Sequence, residues 1–297
     1  MPIKKTVQVI TAASILGLRP TGVEELASTL LAKGLISKTE AAETVVEVPT
    51  INHLYDAHRP VGSVLNIEPL KQFSIALSET IQRHASKDKL LLVLGGDCSI
   101  LIGAMLALKL KGTFGLFFID GHADFYSAET SLTGEAADMD LALVTGRGPD
   151  ILTNIHGARP YVRDEHVVQL GQRDIDETVH YNSPDPRKTS IECLDAIFIH
   201  ESGALRTIET IAERLKGKSV DGFWIHFDTD IIEDSTNPAV DYRLPGGLSI
   251  KECQQILSHL ISTYNVVGMT VTIYNPKLDR DGMVARTLVD LLAEVLH

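Results

Sequence analysis

Apolar residues recur along this chain with two different spacings. Short runs rich in β-branched and other apolar residues fall at 7–12, 45–48, 90–94, 115–120, 167–171, 196–200, 223–228 and 266–274. Several are nearly continuous in apolar residues, as strands covered on both faces should be. Between them, apolar positions return at helical spacing in 22–32, 69–85, 99–109, 204–216, 249–262 and 283–296. Strand and helix in alternation predict an α/β fold. It has three layers, α/β/α, around a mostly parallel sheet of about eight strands. The segments 51–67, 145–164 and 182–188 read as loops. No internal repeat, low-complexity tract or linker interrupts the pattern, so residues 1–297 read as a single domain.

Composition narrows the function classes. With 44% hydrophobic and 22% charged residues in a chain of 297, the make-up is that of a globular protein. A chain this long buries about three quarters of its unfolded surface and needs no disulfides to stabilise it. The three cysteines, Cys98, Cys193 and Cys253, are odd in number and widely spaced, which argues against a disulfide framework and predicts a cytoplasmic protein. The formal net charge of -12 argues against nucleic acid or an anionic membrane as partner. It suits a cationic small molecule or bound divalent metal. Two lysines precede apolar residues at the N-terminus, but Gln8 and Thr11 break the run, so it reads as a first strand rather than a signal peptide. No stretch approaches the roughly 20 apolar residues that a membrane span requires.

The polar residues that matter cluster where strands are expected to end, the usual place for ligands in open α/β sheets. The run 90–94 leads into GGDCS at 95–99, the run 115–119 into DGHAD at 120–124, and the run 223–227 into Asp228-Thr229-Asp230. Asp120, His122 and Asp124 stand at alternate positions, so on extended chain they face one side. Asp228 and Asp230 repeat that spacing from another strand. Four carboxylates brought together would repel and resist ionisation. Divalent cations resolve that conflict, and an oxygen-rich set with one imidazole suits Mn²⁺ or a similar metal. Two metals about 3.5–4 Å apart can share a water and lower its pKa. Asp97 and Ser99 are read as caps of the helix that begins near Ile100. No GxSxG or P-loop pattern supports a serine hydrolase or a nucleotide-binding reading.

These residues resemble a known family. GGDCS is similar to the GGDHS motif of the ureohydrolases (arginases, agmatinases and formiminoglutamases), DGHAD to DAHAD, and FDTD at 227–230 to SFDxD. The resemblance extends to HGARP at 156–160, LGQRDID at 170–176 and PGGLS at 245–249. It implies an arginase-like fold, two divalent metal ions, a trimer or hexamer, and a small cationic guanidino or amidino substrate. By resemblance, Asp120 and Asp228 each bridge both metals. His122 and Asp230 complete one metal site, and Asp124 with Cys98 the other. His156 is implied as proton shuttle or substrate contact, and Asp176 as a contact to the substrate's polar tail. His156 and Asp120 are thus the residues tied to catalysis. The implied reaction is hydrolysis of a guanidine or amidine C–N bond by metal-activated hydroxide.

Three departures from the family pattern bear on that expectation. Cys98 stands where the family has a histidine ligand; it is either a thiolate ligand, favouring Zn²⁺, Fe²⁺ or Ni²⁺ over Mn²⁺, or a buried neutral thiol. Ile273 occupies the place of a glutamate that pairs with the substrate's guanidinium, and isoleucine makes no such charge-assisted pair. The segment after Asp230, 233–238, lacks the family's Asp-Pro. Two alternatives follow. One is a metal- or ligand-binding member without hydrolase activity. The other is a hydrolase of a different amide-type substrate. Of the remaining histidines, His226 either points toward the site or is buried elsewhere. His53, His58, His84, His166, His180, His200, His259 and His297 read as surface or core residues, and 279–281 as a solvated turn.

Overall fold

In the computed structural model, which describes residues 5–42, 44–60 and 62–296, eight strands form one sheet in which every pairing is parallel. Residues 1–4 of the N-terminal segment, Val61 in the loop 51–67, and His297 lie outside the described residues. The strands are β1 (Thr6–Ala12), β2 (Val46–Glu47), β3 (Lys89–Gly95), β4 (Phe114–Ile119), β5 (Val167–Leu170), β6 (Glu192–Leu194), β7 (Gly222–Asp228) and β8 (Val266–Thr272). The helices are α1 (Leu26–Ala32), α2 (Leu35–Thr39), α3 (Ile67–His84), α4 (Ile100–Lys109), α5 (Asp140–Val144), α6 (Asp150–Thr153), α7 (Ile175–His180), α8 (Ala196–Leu215), α9 (Ile250–Thr263) and α10 (Met283–Leu296). Strand order is β2-β1-β3-β8-β7-β4-β5-β6.

The near-continuous apolar strands are explained by two cores. Leu90, Leu92 and Leu94 of β3, with Phe117 and Phe223, pack on one face of the sheet against residues of α1, α8, α9 and α10. Leu91 and Val93, with Phe118 and Trp224, pack on the other against residues of α3, α4 and α6. Successive side chains on a strand point to opposite faces, so a sheet covered on both sides needs apolar residues at every position. None of the described helices is long and apolar enough to cross a membrane.

One predicted strand is a helix. Residues 196–200 open α8, and the edge strand is the three-residue β6 just before it. Asp195 decides this: its carboxylate accepts the Phe198 N–H at 2.7 Å and caps the helix. Ala196 and Ile199 are buried while Ile197 between them is exposed, which is helical spacing and not alternation. Gly203, at φ +77°, breaks α8 just before the helical segment predicted to begin at residue 204. Two further readings are corrected. Asp97 accepts the Ser99 N–H at 2.9 Å as expected, but Ser99 makes no side-chain cap to α4. Asp279 is no mere solvated turn residue: it accepts N–H bonds from Val284 and Ala285 at the start of α10 and the Tyr274 hydroxyl at 2.7 Å.

Candidate metal centre

The four central strands, β3, β8, β7 and β4, end side by side. The chain passes from β3 to β4 across a gap that β8 and β7 fill only later, so their carboxyl ends frame a crevice of the kind that binds ligands. Tight backbone contacts shape its floor. Gly96 lies so close to the Ser14 carbonyl that a Cβ there would sit 1.8 Å from the oxygen. The Ile273 N–H donates to the Gly96 carbonyl at 2.9 Å, tying the end of β8 to the loop after β3.

Five sequence-predicted carboxylate and imidazole donors and Cys98 meet in this crevice. Donor atoms of Asp120, His122 and Asp124 all lie within 4.8 Å of one another, and so do those of Cys98, Asp120, His226 and Asp228; Asp120 belongs to both groups. Asp230 joins the first group through His122 Nδ1, 2.9 Å from its Oδ2. The Cys98 thiol donates to Asp228 Oδ2 at 2.6 Å. Backbone N–H groups fix the carboxylates: His122 N–H donates to Asp120 Oδ1 at 2.7 Å, Asp230 N–H to Asp228 Oδ1 at 2.9 Å, and Gly121 N–H to Asp230 Oδ1 at 3.1 Å. Asp120 Oδ2 is buried without a hydrogen-bond partner. Asp124 holds a left-handed backbone, φ +43°, which marks it as built for position rather than local comfort.

The carboxylates strain against one another electrostatically. Burial, then the charge of Asp230, pushes Asp120 up to about 6. Burial likewise raises Asp124, with Asp120 adding to it, and Asp228, with Asp230 adding to it. Asp230 goes the other way: burial opposes it, but the charge and hydrogen bond of His122 hold it low. Burial also works against protonated His122, yet Asp230 and Asp120 keep it well above the usual imidazole range. Burial and Asp228 hold the Cys98 thiol protonated. Crowded carboxylates that resist ionisation, an unpartnered oxygen and a thiol spending its proton on a carboxylate are what a divalent cation would relieve. The donor set fits such ions.

The sequence reading missed Asp140, the first residue of α5. It is fully buried and neither carboxylate oxygen has a hydrogen bond. Burial, then the charge of Asp120, raises its pKa well above the ordinary range. Its signal was present in the sequence as an acid inside the apolar helical run 139–144, an expensive place for an unpartnered carboxylate. His226, left open above, is fully buried, stacks on Phe118 at 5.0 Å between ring centres, and is pushed by burial down to about 3.

A cavity of about 340 Å³ opens onto this cluster. Leu18, Leu132, Ala137, Leu244 and Ile273 form apolar wall; Glu135, Asp138, Asp174, Glu177 and Asp241 make it acidic. Arg243 also lines it, but its guanidinium is held by Asp234 at 2.6 and 2.9 Å. Two expected site residues are not there. His156 is exposed in the turn after α6 and does not line the cavity. The HGARP segment is tied instead to its own neighbourhood, with the Ile155 N–H donating to the Tyr161 hydroxyl. Asp176 is exposed on α7, whereas Asp174, turned inward by the Ala123 N–H at 3.1 Å and Gln172 Nε2 at 2.9 Å, lines the cavity. Ile273 does face the cavity, with a left-handed backbone at φ +72° that is rare for a β-branched residue.

The model of the arginase family matches residues 36–297. An arginase of Staphylococcus aureus (strain COL) is 27% identical over 295 residues, covering 97% of this chain and 96% of that protein. The structure of the Bacillus caldovelox arginase superposes with a TM-score of 0.87 at 25% identity, covering 98% of each chain. That of the Entamoeba histolytica arginase in complex with L-ornithine gives a TM-score of 0.84 at 23% identity and 99% coverage of each.

Proposed function

This chain belongs to the arginase family, the ureohydrolases, and on that premise we propose that it is a metal-dependent hydrolase of C–N bonds in small guanidino or amidino compounds. The observation that carries the reading is the convergence of Asp120, His122, Asp124, Asp228 and Asp230 at adjacent strand ends beside an acidic cavity. Asp120, His122, Asp124, Asp228, Asp230 and Cys98 would hold two divalent ions. When bound, these supply Lewis-acid activation of water and neutralise the carboxylates' mutual repulsion.

The chain's own residues account for the rest. The carboxylates of Asp174, Glu177 and Asp241 draw a cationic molecule into the cavity, and Leu18, Leu132 and Leu244 exclude water from its stem. With His156 outside the cavity, the proton for the departing amine has a different source in this reading. Asp138 lines the cavity, and burial pushes its pKa up to about 7, near the optimum for a general acid at neutral pH. Its Oδ2 accepts the Ser131 hydroxyl at 2.8 Å, which fixes the orientation of the carboxyl.

Ile273 favours a second reading, hydrolysis of a neutral amide-type group on an otherwise cationic molecule. An apolar side chain at the cavity wall offers no partner to a guanidinium but tolerates an acyl group. A panel of guanidino, amidino and acylated amine compounds, assayed with Mn²⁺, Zn²⁺, Fe²⁺ and Ni²⁺, tests both. Urea or ammonia release supports the first, carboxylate release the second, and full turnover by metal-stripped protein defeats both. Assembly into a trimer or hexamer, carried by the family resemblance, is checked by sedimentation.

A further inference from the structure

We infer that His226 and Asp140 are metal ligands, so that the imidazole missing at position 98 is supplied from β7, two strands away in the sheet. This rests on the metal reading above and extends it to two side chains to which that reading gave no role.

The hydrogen bonds around Thr270 orient His226. Thr270 Oγ1 donates to the Ile225 carbonyl at 3.4 Å. It accepts the Trp224 indole N–H at 3.3 Å, and it lies 2.9 Å from His226 Nδ1. Thr270 thus holds Nδ1, while Nε2 makes no hydrogen bond in the buried interior beside the donor cluster. A histidine whose outer nitrogen is tied by a hydrogen bond while the inner one faces a cluster of donors is the arrangement that orients metal-binding imidazoles.

What Nε2 faces is the second observation. Asp140 Oδ2 lies 3.7 Å away, and both side chains are fully buried. Nε2 and both Asp140 oxygens have no hydrogen-bond partner. Two buried polar groups thus face each other without a hydrogen bond, and a cation held between them would satisfy both. The same imidazole has its donor atom within 4.8 Å of donors from Cys98, Asp120 and Asp228. Ligands about 2.0–2.3 Å from one cation stand at such mutual separations. The resulting set is one imidazole, one sulfur and carboxylates. It is softer than an all-oxygen set and predicts Zn²⁺, Fe²⁺ or Co²⁺ over Mn²⁺ at this position.

Co²⁺ is the probe, because its visible absorption and its paramagnetically shifted proton resonances report the ligands without any substrate. The full-length Co²⁺-loaded protein should show two solvent-exchangeable, shifted imidazole N–H resonances, from His122 and His226. His226→Gln and Asp140→Asn should each lose one bound Co²⁺ per chain, with affinity reduced by more than about 100-fold. Thr270→Val, which removes the partner of Nδ1, should weaken that ion by about 10–100-fold and abolish one of the two resonances. A single shifted imidazole resonance in the wild-type protein overturns the inference even if the variants fail to fold. Unchanged stoichiometry and spectrum in His226→Gln and Asp140→Asn overturn it too, and leave the metal reading standing. A wild-type protein that takes up no Co²⁺ overturns both.

Discussion

At the scale of single residues, the site is a problem in charge. Asp120 has little reason to be ionised without a counter-ion, being buried, close to Asp230 and carrying an unpartnered oxygen. Asp120→Asn and Asp228→Asn should each reduce turnover by about 10³-fold or more, since Lewis-acid activation is worth several kcal/mol. Without metal, the same substitutions should leave the melting temperature unchanged or higher, because a neutral amide replaces a buried carboxyl whose ionisation burial and its neighbours oppose; calorimetry of metal-free protein checks this. Asp138 makes a different claim. If its carboxyl supplies the proton, turnover should fall as pH rises through about 7, where that group ionises. Asp138→Asn should lose about 10²-fold in turnover and lose that limb of the pH profile with it. Ile273 governs substrate choice in this reading. Ile273→Glu should raise kcat/KM for guanidinium compounds relative to neutral amides by about 10–100-fold, the worth of one charge-assisted hydrogen bond.

At the scale of elements, caps decide where helices begin, and they do so away from the chemistry. Asp195 starts α8 by accepting the Phe198 N–H. Ser249 and Glu252 form a reciprocal capping box at the start of α9. Asp195→Ala should cost about 1 kcal/mol of stability, measured by denaturant unfolding, with turnover unchanged. Asp195 also shows why one predicted strand was misread. The apolar run after it satisfies a strand template and a helix template equally well over five residues. The aspartate in front, with its side chain free to cap, tips the balance.

At the scale of the whole molecule, acid groups buried around one cavity couple folding to pH and to metal. Asp120 and Asp138 titrate in the folded protein near 6 and 7, above the ordinary carboxylate range they have when unfolded. Between about pH 4 and 7 the folded state therefore binds more protons than the unfolded one, and stability falls as pH rises. His122, also raised, adds in the same direction. His226, lowered to about 3, opposes them below about pH 6.5. The raised carboxylates outnumber it, so metal-free protein should melt higher at pH 5.5 than at pH 8. Metal should reverse the order at pH 8, because bound cations favour the ionised form. Removing metal with a chelator at pH 8 should lower the melting temperature, and an ion restored at about 100 times its Kd should return about 2.7 kcal/mol.

The alternation of apolar runs was enough to give the layered α/β architecture, because strands covered on both faces cannot avoid being apolar throughout. The spacing of Asp120, His122 and Asp124, and of Asp228 and Asp230, was enough to mark a candidate metal centre, since alternate residues at a strand end face one way whatever surrounds them. Both are local properties of the chain. Tertiary structure alone decided which distant groups share the interior. It placed Asp140 Oδ2 3.7 Å from His226 Nε2 in the buried interior, turned Asp174 and not Asp176 into the cavity, and left His156 outside it. Such outcomes depend on the order of strands in the sheet and on which polar groups already hold partners, as His226 Nδ1 does at Thr270. No period along the sequence carries that information.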